Sequence, residues 1–176
     1  MEAEELTRAG QLRREFDALF AEASGGTRAA EESFLAVSAG GDPYALPVSQ
    51  IGGLARDRNL VPLPGAPPGF VGLAGLRGAL LPVWDLAGLL GYAPAAGRWL
   101  AIAAGSTAWA VAFEGFEGYV RLATQELRPF QGQGPAAAFA RQAFDGAQGL
   151  RPVLDLGLLR QAMQARINTP PTRSLG

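Results

Sequence analysis

A mostly β fold built from two similar small barrels is predicted by three features of this chain. The phrase Pro82-Val83-Trp84-Asp85-Leu86 returns as Pro152-Val153-Leu154-Asp155-Leu156, each copy followed by a leucine pair, Leu89-Leu90 and Leu158-Leu159. The offset of 70 residues (152 − 82 = 70) is too long for a solenoid repeat and suits a small barrel. From Phe34 onward, short apolar segments are punctuated by Gly and Pro, the pattern of strands and turns rather than of alternating strands and long helices. With 48% hydrophobic residues among 176, the chain also has enough apolar side chain to bury a core.

Taken in order, residues 4–23 place Leu6, Ala9, Leu12, Phe16, Leu19 and Phe20 at steps of three and four, which predicts an amphipathic N-terminal helix. Ser24-Gly25-Gly26 stops it, and the polar run to Glu32 reads as a connector. Such a helix either docks on its own domain or lies in the groove of a partner of its own. Residues 34–39 and 44–46 read as a hairpin about Gly40-Gly41-Asp42-Pro43. A second hairpin spans 98–104 and 108–113, with 118–122 expected to continue its sheet. Residues 139–144 and 150–154 flank a turn at Asp145-Gly146-Ala147-Gln148-Gly149 and lead into the second copy of the repeated phrase.

Composition closes off most chemistry. There is no His and no Cys, and all 15 basic residues are Arg. The chain therefore lacks the usual general base, a thiolate, an amine nucleophile and the common zinc ligands, so neither catalytic residues nor a metal or other cofactor is expected. A net charge of −1 without a long single-sign block gives no footprint for nucleic acid or an anionic membrane. Arg77, Pro82 and Asp85 interrupt the most apolar stretch, which argues against direct membrane insertion, and the absence of cysteine fits a reducing cytoplasm.

Asp85 and Asp155 raise the question of a paired-carboxylate site, but bulky Leu86 and Leu156 follow them where a catalytic turn needs small residues. Helix N-caps explain both better, since an Asp oxygen accepts from free first-turn amides. Pro62, Pro64, Pro67 and Pro68 favour a rigid loop over a polyproline ligand. Trp84, Trp99 and Trp109 lie in apolar segments and read as core or inter-barrel packing. Arg77 is a lone cation in an apolar run, either a snorkelling edge residue or a charge kept for a partner.

Gly72-Leu73-Ala74-Gly75-Leu76-Arg77-Gly78, followed by Leu80-Leu81-Pro82-Val83-Trp84-Asp85-Leu86, resembles the signature of CheW-like domains. Phe34-Leu35 with Gly40 and Tyr44 is similar to the family's opening hairpin, Leu127-Arg128-Pro129 to its second-half connector, and Leu154-Asp155-Leu156 to its closing motif. The resemblance implies residues 33–164 as the domain, with the helix and linker at 1–32 and a tail at 165–176 outside it. It implies two interlocked five-stranded barrels around a shared core. It also implies a non-catalytic adaptor, in cytoplasmic or membrane-proximal receptor arrays, that couples the signalling tips of chemoreceptors to the regulatory domain of the histidine kinase CheA. The alternative is a structural protein that binds only one partner and caps or insulates arrays. Arg77 aligns with the signature arginine tied to receptor binding; Ile51, Leu54 and Val120 align with groove positions. Gly52-Gly53 stands where the family usually carries a polar or acidic pair, and Gly75 where it carries asparagine.

Overall fold

The computed structural model describes residues 30–95 and 97–169, so the N-terminal helix expected at 4–23 lies outside the described residues. Along the central strands, apolar side chains follow one another without the polar interruption of a solvent-facing strand, because both faces are covered. On β1 (Glu31–Ala39), Phe34 turns one way and Leu35 and Val37 the other, and all three are buried. The same double use recurs on β6 (Ala79–Asp85), where Leu81 and Val83 fill one interior while Trp84 faces another.

The second of these sheets consists of β3 (Ile51–Arg56), β4 (Leu60–Val61), β5 (Phe70–Leu76), β6, β7 (Trp99–Ala103) and β8 (Ala110–Phe113), in the order β3-β7-β8-β6-β5-β4. The first takes β1 and β2 (Asp42–Pro47) from the start of the described chain and β9 (Gly115–Ala123), β10 (Arg128–Pro129), β11 (Ala140–Gly146) and β12 (Gly149–Leu154) from its end, in the order β10-β11-β12-β2-β1-β9. The chain thus starts one sheet, builds the other completely, and returns, which interlocks them. Each sheet has the five strands expected plus a sixth of two residues, β4 or β10. These short strands lie at the far end of the sheet order from the strand that precedes them in sequence. Only Asp57, Arg58 and Asn59 link β3 to β4, a reach of roughly 14 Å, so the sheet must curl until its ends approach.

One expectation is corrected. The segment at 118–122 does not extend the hairpin of β7 and β8; as part of β9 it pairs with β1 in the other sheet, Phe34 opposite Val120. The reason is the free edge of β1: immediately after β8, the Glu114 amide donates to the Ser38 carbonyl (3.2 Å), and β9 pairs along the side of β1 that β2 leaves open.

The two barrels share internal symmetry down to their irregularities. Val83 pairs in parallel with Ala110, and Val153 with Ala45. β5 shifts register between Phe70 and Gly72, and β11 between Ala140 and Gln142, 70 residues on. Val83, Leu81, Leu100 and Ala110 fill one barrel; Phe34, Ala45, Phe144 and Val153 fill the other. A larger cluster, including Leu35, Leu46, Trp84, Val111 and Leu154, lies between them and receives two helices, α1 (Leu86–Leu90) and α2 (Leu156–Asn168). Helix α2 runs through residues 165–168, which the sequence assigned to the tail, because Arg166 is anchored to Pro68, Gly88 and Leu89 carbonyls at 3.0–3.3 Å.

Candidate partner-binding seam

Asp85 and Asp155 sit at the N-termini of the two helices. Asp85 Oδ2 accepts from the Gly88 and Ala95 amides (2.9 and 3.1 Å), and Asp155 Oδ1 from those of Gly157 and Leu158 (2.7 and 3.2 Å). Each carboxylate is turned to its own helix, an arrangement for capping. Burial pushes the Asp85 carboxyl above its ordinary range, against the lowering effect of the amides.

Chemistry of a different kind gathers where the barrels meet. β3 and β9 occupy equivalent ends of the two sheets, and both carry a bulge: Gly52 is the extra residue between Ile51 and Gly53, Glu117 between Phe116 and Gly118. The Glu117 bulge resets the alternation of β9, so that Phe116 and Tyr119 become neighbours, with rings 5.5 Å apart and nearly perpendicular. Phe116 packs in turn on Trp99 at 5.1 Å, and Arg56 lies 5.1 Å over the Trp99 ring. Leu54, Trp99, Phe116 and Tyr119 are all half-buried and all rest on the shared core. They form a continuous apolar strip across the seam. Asp57 borders it, held bidentately by Arg98 at 2.6 and 3.0 Å, and that guanidinium keeps its carboxyl below the usual carboxylate range. An aromatic strip of this sort exposes flat apolar area at little cost in side-chain entropy and suits the apolar stripe of a helix.

The four residues singled out from sequence fall in separate settings. Leu54 is part of the strip. Ile51 is 1% exposed and supports the seam from within the shared core. Val120 is half-buried and packs on the interior cluster of the first barrel. Arg77 is exposed at the tip of the β5–β6 hairpin, where it and Gly78 both have positive φ (49° and 82°), the backbone of a tight two-residue turn. The aromatic strip was not legible in the sequence as a unit, since an i, i+3 spacing on a strand signals opposite faces unless a bulge intervenes.

The CheW-like domain family matches residues 33–163, well over half of the chain. The chain belongs to the CheW-like domain family. Its fold is similar to that of the scaffolding protein TtCheW from Thermoanaerobacter tengcongensis, with a TM-score of 0.66 at 16% identity, over 74% of this chain and 92% of that one. No curated protein matches the chain. For a CheW-like domain, the double-barrel interlock and shared core are the expected frame, and the aromatic seam is what this sequence places on it. Among the described residues, no helix is long and apolar enough to cross a membrane, and no group of three or more Asp or Glu gathers as a metal site would require.

Proposed function

We propose that this CheW-like domain is a non-catalytic adaptor that couples chemoreceptors to the histidine kinase CheA in a chemosensory array. The observation that carries this reading is the half-buried strip of Leu54, Trp99, Phe116 and Tyr119 across the barrel seam. A receptor's helical tip presents an apolar stripe; the strip supplies the complementary surface, and Arg56, Arg77 and Asp57 offer charges that fix register. Leu54 and Arg77 contact the receptor directly, while Ile51 and Val120 hold the strands beneath. The kinase regulatory domain, itself a CheW-like relative, docks on a barrel face away from the seam, and the protein works in the cytoplasm.

The bulge at Gly52 offers no side chain on the β3 side of the seam, which favours, as a second reading, a protein that binds one partner only and caps or insulates arrays. Binding of the full-length protein to an immobilised receptor signalling tip and, separately, to the CheA regulatory domain distinguishes the two. Under the adaptor reading both bind, and Tyr119→Asp or Arg77→Glu weakens receptor binding at least tenfold while leaving kinase binding intact. Under the capping reading, one of the two fails to bind the unaltered protein. Binding to neither overturns both readings.

A further inference from the structure

A second apolar surface lies away from the seam. An open pocket of about 400 Å³ is bounded by the proline loop at 63–67, the outer side of β5 and β6, the approach to β8, and the last turns of α2. Phe70, Trp84, Trp109 and Met163 line its floor, and Leu63 and Ile167, respectively 45% and 60% exposed, form its rim. The proline loop keeps this wall rigid, and Arg166 pins the helix to it through the Pro68 carbonyl. Arg160 is the one charged residue in the lining, and it makes no ion pair among the described residues. The pocket therefore asks for a ligand with several large apolar side chains and flanking negative charge.

We propose that the occupant is the chain's own N-terminal segment, residues 12–23, with Leu12, Phe16, Leu19 and Phe20 directed into the pocket. Three observations support this choice. The apolar residues recur at i, i+4, i+7 and i+8, which makes one helical face. In 12–23 the acids Glu15, Asp17 and Glu22 outnumber Arg13 and Arg14, which both precede them, so the segment is net negative and opposite in sign to Arg160. The path is also short enough. Glu32 and Asp155 line the same small cleft, so the chain leaves the described structure beside the start of α2. The pocket lies along the far part of that helix, whose 13 residues span roughly 20 Å. The six residues 24–29 reach roughly 20 Å when extended, which covers the distance from the start of α2 to its far part. The segment would then act as a strap over the joint between α2 and the second barrel. The seam would stay open to the receptor.

The chain has no cysteine, so a pair introduced into the full-length protein reports on this contact alone. Ala23→Cys with Gln164→Cys joins the apolar face of the segment to the pocket wall; Ala23→Cys with Leu150→Cys targets an exposed hairpin position on the other barrel. Under mild oxidation at micromolar protein, the first pair is expected to form an intramolecular disulfide at least ten times faster than the second. Adding Phe16→Asp and Phe20→Asp, which lie outside the described fold, should erase that preference. Equal rates for the two pairs overturn the proposal and leave the pocket to a partner's helix. Disulfide-linked dimers in place of monomers also overturn it and assign the pocket to a second copy. Persistence of the preference in the double Asp variant overturns it as well.

Discussion

Arg151 shows how far one side chain is committed by its surroundings. It is 4% exposed, donates to the carbonyls of Val37 and Tyr44 (3.1 and 2.8 Å), and pairs with Glu117 at 2.5 Å. Glu117 is the bulge residue of β9; at the corresponding positions of the other barrel stand Gly52, the bulge of β3, and Leu81, 70 residues before Arg151. One barrel therefore holds an ion pair where its twin holds an apolar side chain and no partner. Arg151→Ala leaves Glu117 and two carbonyls without their donor and is expected to cost about 3–5 kcal/mol, measured by urea unfolding. The pair replacement Arg151→Leu with Glu117→Gly, copying the twin, should recover most of that loss. Asp85 gives a pH signature. Its Oδ1 is buried without a partner among the described residues, and burial raises its carboxyl. The folded chain thus holds this proton more tightly than the unfolded chain does. Stability from this group falls as pH rises from the unfolded carboxylate pKa, about 3.9, towards the raised folded value, and is flat above it. Asp85→Asn keeps an acceptor for the Gly88 amide and cannot ionise, so the variant should lose that slope and be at least as stable at neutral pH, as chemical denaturation across pH 4 to 7 will test.

At the scale of elements, the joints between barrels matter more than the strands. Tyr92, just past α1, donates to Asp42 at 2.5 Å and meets the Tyr44 hydroxyl at 2.5 Å, which ties one barrel's helix to the other barrel's hairpin. A Cβ on Gly40 would lie 2.4 Å from the Tyr92 ring, so this joint accepts only glycine there. Across the molecule, α2 follows the last strand of the first barrel but ends against the second, where Arg166 donates to the Gly88 and Leu89 carbonyls at the end of α1. Arg166→Met keeps the stem and removes the donors. It is expected to cost about 2 kcal/mol and to speed amide exchange at 164–168 while leaving 158–161 protected. The caps and the hairpins were legible in the sequence, because Asp before a leucine pair and glycine at a turn act over three or four residues. The capture of β9 by β1 was not, since pairing between segments some 80 residues apart depends on which edge is free when they meet.

For the whole molecule, the shared cluster between the barrels is the largest, and both barrels contribute to it from strands whose other faces fill their own interiors. Neither barrel can lose its packing without exposing the other. All three tryptophans belong to the second barrel or its approach to β8. Val153→Ala, inside the first barrel, removes buried methyl groups and should lower stability by about 2 kcal/mol. Because the core is shared, tryptophan fluorescence in the distant barrel and far-UV circular dichroism should shift to the same lower midpoint; separate transitions would show two independent units.

The sequence by itself determined the β class, the duplication, the two helix caps and the absence of His, Cys and Lys chemistry, because these rest on residue type and on spacings within a few positions. The placement of the aromatic seam was decided by tertiary structure alone. A bulge at Glu117 reverses the facing of every residue beyond it, and the return of the chain from β8 to the first sheet brings Trp99 and Phe116 together from different sheets. Both effects depend on backbone pairing between distant segments, and no local pattern of side chains encodes that geometry.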